Sequence, residues 1–143
     1  MTLRTPHVLG TFEMRVEIGK VREFARATGA TDPAYFADER PPVPPTFLTT
    51  AAFWQPPEMQ RPYEAAGMDL SRVLHGQQRY EYLAPVRAGD VLSVEIRIDS
   101  IETKSGARGG AMRLAHVVSE FRDPEGSLVA RGTSTTIETA PVA

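Results

Sequence analysis

The side chains best suited to chemistry lie at the end of residues 21–36, a helix-like stretch that runs into a polar corner. Asp32 contributes a carboxylate there and Tyr35 a phenol. General acid–base catalysis needs two titratable groups close to one water, each with a pKa suited to its task. A phenol titrates near ~10, which is too high for a base at neutral pH. Spacing alone therefore favours a helix end followed by an Asp-Pro turn over a catalytic loop.

Three histidines add further candidates: His7, His75 and His116. No two of them lie three or four residues apart, so their spacing predicts no zinc site. His116 falls within a predicted strand and is interpreted as structural. His75 precedes a strand, where it would orient a loop or bind a backbone group. Direct catalysis by His75 would require a positioned partner, and the sequence identifies none.

Alternating and helical apolar patterns predict the elements that position these groups. Residues 11–18 alternate as a half-buried strand does. Apolar residues three and four apart predict a helix over 20–28, and Gly29 suits its left-handed end. Four further strands are predicted at 77–83, 91–103, 111–122 and 127–138, with "KSGARGG" at 104–110 as a hairpin connection. Because consecutive strands joined by short turns pair antiparallel, the last four are predicted to form a meander.

The segment 46–54 is predicted to be a helix that is apolar nearly all round, as buried helices are. Pro45 suits its first turn, and Pro56 ends it. We interpret it as a central helix that a curved sheet wraps, with an amphipathic surface helix as the alternative. The next residues, 57–75, predict a short helix at 69–74 or a mobile flap.

Length and composition limit the classes of function. A chain of 143 residues predicts one domain over 1–143. The net charge of -2 gives no basic surface for nucleic acid. There is no cysteine, hence no thiolate nucleophile. No signal peptide or run of ~18 apolar residues is recognised, so a cytoplasmic protein without a membrane span is expected.

The polar corner resembles the substrate loop of the MaoC-like hydratases and dehydratases, whose motif is roughly S/T-G-D-x-N-P-x-H. The matching run here is "TGATDPAY", residues 28–35. Gly29 and Pro33 match the motif, but the family's catalytic Asp falls on Ala30 and its catalytic His on Tyr35. The segments "PPTFLT", "LHGQQ" and "PVRAGD" follow in the family's order, so the resemblance covers residues ~10–138.

The resemblance implies an α+β fold: a single hot-dog domain, with a curved antiparallel sheet wrapped round a buried central helix. It also implies that this chain is similar to the non-catalytic subunit of heterodimeric (3R)-hydroxyacyl-ACP dehydratases. Neither Ala30 nor Tyr35 can replace the family's acid–base pair. The helix start is also altered, because Pro45 has no N–H to donate and Thr46 crowds the approach that glycine would allow.

The resulting hypothesis is a channel-forming subunit of a heteromeric dehydratase or enoyl-thioester hydratase, with Asp and His supplied by a partner hot-dog chain. The helix 46–54, the flap 57–75 and the loop 30–36 would line the acyl channel. The expected partners are an acyl-CoA or acyl-ACP substrate and a homologous subunit or a second copy. No cofactor, metal or catalytic residue is expected. The expected substrate-binding residues are Asp32, Tyr35, Thr46, Phe47 and His75.

Two alternatives stay open. One is a homodimeric hot-dog protein that binds acyl thioesters without chemistry. The other is a hot-dog thioesterase that uses Asp32 or Glu64. Asp38 and Glu39 are further candidate carboxylates, although solvated surface charge is the usual role of such residues. No G-x-S-x-G or phosphate-binding glycine motif is present.

Overall fold

Five antiparallel strands form one curved sheet. The computed structural model describes residues 3–105 and 110–141. The strands are β1 (His7–Arg15), β2 (Val73–Tyr82), β3 (Val91–Ser105), β4 (Ala111–Arg122) and β5 (Leu128–Glu138). Alternate residues of β3 and β4 face the core, as the sequence pattern predicts. The predicted hairpin connection 104–110 lies partly outside the described residues.

The strand order is β1-β3-β4-β5-β2, so β2 lies at the sheet edge beside β5. The predicted meander is correct for β3, β4 and β5 and wrong for β2. A tight turn would have paired β2 with β3. The connection 83–90 instead passes from β2 at the sheet edge across β5 and β4 to β3. Val43 donates to the Val86 carbonyl at 3.1 Å, and Ala88 donates to the Pro41 carbonyl at 2.9 Å. These bonds fasten the crossing connection to the proline-rich segment.

Two predicted boundaries near the sheet edges are wrong. β1 begins at His7 and ends at Arg15, before Ile18, which starts the following helix. β2 begins at Val73, so the helix predicted over 69–74 is reduced to the 3-10 turn Leu70–Arg72. In both places an apolar residue continues the periodic pattern after the backbone has changed conformation.

Helix α1 (Ile18–Ala27) covers part of the inner sheet face. Val21 and Ala25 are fully buried, and the Phe24 ring meets the Phe47 ring edge to face at 5.6 Å. Gly29 has φ of 70°, the left-handed conformation predicted for it. The predicted helix and its end are therefore confirmed.

The central element predicted over 46–54 is a 3-10 helix, Phe47–Phe53. In a 3-10 helix residues i and i+3 lie directly above one another, so the side chains form three rows along the helix. Two such rows, Phe47 with Thr50 and Leu48 with Ala51, are buried. At the end of the helix Phe53 is 74% exposed and has the Lys20 ammonium 4.9 Å from its ring centroid. The hot-dog fold is confirmed, but its central helix is buried on one side only.

Three more short helices complete the layer: α2 (Ala34–Ala37), the 3-10 turn Pro57–Met59 and α3 (Pro62–Ala65). The segment 55–72, which contains the last two, forms a roof over the outer part of the sheet. No helix among residues 3–105 and 110–141 is long and apolar enough to cross a membrane.

The carboxylate of Glu138 joins this roof to the sheet. Its side chain is 7% exposed and forms ion pairs with Arg72 at 2.9 Å and Arg113 at 3.2 Å. It also accepts the Asp69 backbone N–H at 2.8 Å. Arg113 extends the connection by donating to the Gly67 carbonyl at 2.9 Å. Because one buried carboxylate satisfies two arginines and a backbone group, it is hard to replace.

We predict that Glu138→Gln lowers the free energy of unfolding by about 2–3 kcal/mol. The value is below that of a fully buried pair because both arginines are partly exposed. Urea unfolding would measure it, with Glu125→Gln in an exposed turn as the matched control. Hydrogen exchange should also accelerate within 57–72. An unchanged midpoint together with unchanged exchange would contradict the role assigned to Glu138.

Candidate functional site

A cavity of about 370 Å³ lies between the roof and the inner face of β4 and β5. The 3-10 helix Phe47–Phe53 and the segment 55–63 cover it, and its mouth follows the edge strand β2. Ile96, Val117 and Phe121 supply apolar side chains to its floor. A cavity of this size and lining falls in the range of small-molecule sites.

Tyr80 and Gly132 lie side by side in the cavity wall, where they are paired across β2 and β5. A Cβ atom on Gly132 would lie 3.1 Å from Cε1 of Tyr80, tighter than ordinary van der Waals contact. The absence of a side chain at Gly132 therefore allows the tyrosine ring to lie against the sheet.

A group of tyrosines lies where the 3-10 helix begins. Tyr82 donates its hydroxyl to the Pro45 carbonyl at 3.0 Å. Burial raises the pKa of Tyr82 well above its ordinary value, and the nearby phenols of Tyr80 and Tyr35 raise it further. Burial also raises the pKa of Tyr80, although the side chain of Thr49 opposes this shift. The phenols of Tyr80 and Tyr82 therefore remain protonated at neutral pH, and that of Tyr82 acts as a hydrogen-bond donor rather than a base.

The polar corner is a structural turn in this chain. Asp32 is exposed, and its carboxylate accepts the N–H of Ala34, the first residue of α2, at 2.9 Å. The Ala30 N–H donates to the Ala25 carbonyl at 2.9 Å and so helps to end α1. Tyr35 is half-buried on α2, with its ring edge-on to Phe36 at 6.5 Å. No residue of the loop 30–36 lines this cavity, and the place of the loop in an acyl channel stays a prediction.

The other predicted binding residues separate. His75 lines the cavity mouth from the exposed edge strand β2. Phe47 is 1% exposed in the core, where its ring packs on Phe24. Thr46 is exposed and is the N-cap residue of the 3-10 helix, but its side chain makes no capping hydrogen bond. Of the five predicted residues, the cavity wall includes His75 alone.

Sequence reasoning missed the polar floor of the cavity. Ser119 on β4, Ser134 and Thr136 on β5 and Gln78 on β2 all line it. The signal was present in "GTSTT", residues 132–136, where a glycine, a serine and a threonine share the core-facing side of β5. Polar side chains at inward positions of a strand are unusual and point to a site.

The remaining predicted groups take structural positions. His116 binds Glu102 through Nε2 at 2.7 Å, and its Nδ1 lies 3.2 Å from the Thr135 hydroxyl. This hydrogen bond lowers the pKa of Glu102, with help from Lys104. Thr135 lies on the sheet face opposite the cavity, since its neighbours Ser134 and Thr136 line the cavity. Within the described parts of the chain, no cluster of three metal-ligating side chains occurs.

Comparison with known proteins identifies the family. A family model described as "FAS1-like, dehydratase domain region" matches residues 5–131. The chain belongs to the FAS1-like dehydratase family. The UPF0336 protein of Parafrankia sp. is 34% identical to this FAS1-like chain over 92% of the chain and 91% of the relative. The UPF0336 protein of Streptomyces griseus is 39% identical over 63% of the chain, and the match spans 66% of that relative's length, just under two thirds.

Solved structures agree on the fold of this FAS1-like chain. A MaoC-like dehydratase superposes with a TM-score of 0.74 at 24% identity, covering 94% of the chain and 42% of that protein. The HadBC (3R-hydroxyacyl-ACP dehydratase) complex of Mycobacterium tuberculosis gives 0.72 at 21%, covering 96% and 99%. The ChsH1-ChsH2 complex of the same organism gives 0.67 at 14%, covering 97% and 85%. The resemblance to MaoC-like hot-dog proteins is therefore confirmed.

We predict that Tyr82→Phe weakens the loss of stability at alkaline pH. The folded protein keeps the Tyr82 proton above the pH at which the unfolded chain loses it, ~10. Stability from this group is therefore complete below pH ~10 and declines as the pH rises further. Urea unfolding between pH 8 and 11 should show a shallower decline for Tyr82→Phe, and a stability about 1 kcal/mol lower at pH 8 because the hydrogen bond to Pro45 is lost.

Phe36→Leu is the control, since it alters the ring that packs edge-on to Tyr35 without removing a phenol. Its decline above pH 10 should follow that of the unmodified protein. Parallel pH curves for Tyr82→Phe and the unmodified protein would contradict the assignment.

Proposed function

We propose that this chain is the non-catalytic, channel-forming subunit of a heteromeric (3R)-hydroxyacyl-thioester dehydratase or enoyl-thioester hydratase. The acyl chain would enter the cavity under the roof. A partner hot-dog chain with an intact D-x-N-P-x-H loop would supply the acid and the base. The reaction would then occur at the junction of the two subunits.

One observation carries the proposal: the described wall of the cavity contains no carboxylate and one imidazole, that of His75. Addition of water to a conjugated thioester needs a base and an acid near the same water. Ala30 cannot titrate, and the Asp32 carboxylate is engaged with the Ala34 N–H. The described cavity wall thus leaves space for an acyl chain but holds no suitable pair of groups to act on it.

The edge strand β2 is the expected site of partner docking. It has ten residues, is exposed along most of its length and borders the cavity mouth. Its outer backbone groups are open to strand addition, which proteins normally prevent at long edges. Leu70 and Leu74 are 59% and 57% exposed nearby, which provides an apolar contact surface. A partner at this edge would place its own loop near the mouth.

The thioesterase alternative is less well supported. Neither Asp32 nor Glu64 lines the cavity, and Glu64 pairs with Arg61 at 2.9 Å on the surface. A base must come within hydrogen-bond distance of the attacking water. A self-dimer that only binds thioesters uses the same cavity, and activity with a partner distinguishes it from the proposed function.

We predict that the isolated chain hydrates crotonyl-CoA and trans-2-octenoyl-CoA at no more than the buffer rate. Co-expression with a hot-dog protein from the same genome that carries D-x-N-P-x-H should give a stable complex that turns the substrate over. Turnover would be measured as the loss of enoyl absorbance. Replacing the partner's motif His with Ala should abolish turnover without dissociating the complex. Substantial turnover by the isolated chain would refute the proposed function.

We further predict that Ala52→Trp raises the KM of the complex for trans-2-dodecenoyl-CoA by about tenfold or more. Ala52 is an exposed residue of the 3-10 helix Phe47–Phe53 and lines the cavity, so a larger side chain there obstructs the channel without entering the core. The KM for crotonyl-CoA, which is too short to reach the obstruction, should stay unchanged. Steady-state kinetics of both substrates would test this.

Glu125→Trp, in the exposed turn before β5, is the control for adding an indole elsewhere. It should leave both KM values unchanged. Equal effects of Ala52→Trp on short and long substrates would place the acyl chain elsewhere.

A further inference from the structure

A row of polar side chains crosses the floor of the cavity. We call Gln78, Ser119, Ser134 and Thr136 the polar strip; all four line the cavity. Val117 pairs with Ser134 across β4 and β5, and Ser134 pairs with Gln78 across β5 and β2. Ser134 is therefore at the centre of the strip. The strip adjoins the apolar floor formed by Ile96, Val117 and Phe121.

The polar groups of the roof and those of the floor differ in their hydrogen bonding. On the roof, the Gln55 side chain donates to the Met59 carbonyl, and Gln60 donates to the Gln55 carbonyl at 2.9 Å. On the floor, the hydroxyls of Ser119, Ser134 and Thr136 make no side-chain hydrogen bond with any residue in 3–105 or 110–141. The Gln78 amide reaches the Thr133 carbonyl only at 3.4 Å. Donors and acceptors of the floor thus remain available to a ligand.

A docked partner strand would not satisfy these groups. Ser134 and Thr136 belong to β5, which has β4 on one side and β2 on the other. Strand addition at the β2 edge leaves their side chains facing the cavity. What fills the cavity must therefore meet the hydroxyls, and burying them against a saturated chain would leave them unpaired, at a cost in binding affinity.

We propose that the bound acyl chain carries a hydroxyl group beyond the reacting carbons, and that the polar strip, centred on Ser134, binds it. This inference rests on the proposed function and specifies its substrate class: an oxygenated acyl thioester rather than a plain saturated one. Along β5 the strip extends from the level of Ser119, which pairs with Gly132, to Thr136. This is four residue steps or ~13 Å, which is long enough to select the position of the oxygen. The neighbouring apolar floor holds the methylene groups on either side.

The test uses thioesters of N-acetylcysteamine, which lack the pantetheine arm. The probes are the octanoyl thioester and a series with one hydroxyl at carbon 5, 6, 7 or 8. Calorimetric titration would be done with the purified chain and with its complex. One position of the hydroxyl should bind about fivefold tighter or more than the plain octanoyl probe, as expected for one additional buried hydrogen bond.

Variants locate the effect. Ser134→Ala and Ser119→Ala should reduce the preference for the hydroxylated probe while binding the plain probe as well as or better than the unmodified protein does. Thr133→Ala is the matched control, because it alters the opposite face of the same strand, and it should keep the preference. Circular dichroism and thermal unfolding establish that each variant is folded.

The outcomes separate this inference from the proposed function. Equal or weaker binding of every hydroxylated probe would overturn the oxygenated substrate class and leave the channel subunit intact. Competition by pantetheine alone, lost in Ser134→Ala, would assign the strip to the carrier arm and also overturn it. Failure of the chain and of its complex to bind any probe would instead contradict the proposed function.

Discussion

The inner face of a five-stranded sheet has to be covered, and this chain covers it with short helices. Strands ~4.8 Å apart give a sheet about 20 Å wide, and its apolar inner face must be removed from water. One core cluster joins Met14, Val21 and Val94 from β1, α1 and β3. Over β4 and β5 the cover is only a one-sided 3-10 helix and the roof segment. Incomplete coverage there leaves the cavity, so the position of the site follows from the limited length of the helices.

Buried carboxylates outside the cavity have hydrogen-bond and ion-pair partners within the protein. Glu120, on the outer sheet face, is 8% exposed. Burial would raise its pKa, but hydrogen bonds from Arg122 and Arg131 lower it, with Arg97 adding to the effect. Glu138 is similarly surrounded by arginines. The hydroxyls on the cavity floor have no such arrangement among the described residues, and that contrast supports the proposed role of the floor in ligand binding.

The sequence predicted the elements well because periodicity reports burial directly. The alternation in β3 and β4, the stripe of α1 and the conformation of Gly29 were all predictable. The place of β2 was not, since strand order depends on how the connection 83–90 crosses, which no local pattern encodes. The 3-10 form of Phe47–Phe53 was hidden because a run apolar all round fits several helical periods. The MaoC-like motif indicated the corner at 28–35, which the structure shows as a turn between α1 and α2. The polar floor of the cavity had no motif to mark it.

Glu138 lies at the end of a floor strand, yet its arginine partners and Asp69 hold the roof. The distance between roof and floor is thus set by one ion-pair cluster, and the residues of this cluster are different from those that line the cavity. Substitutions on the cavity floor can therefore change which ligand binds without displacing the roof. A chimeric protein that carries the roof segment of a relative would, by contrast, need Arg72, Arg113 and Glu138 to be exchanged together.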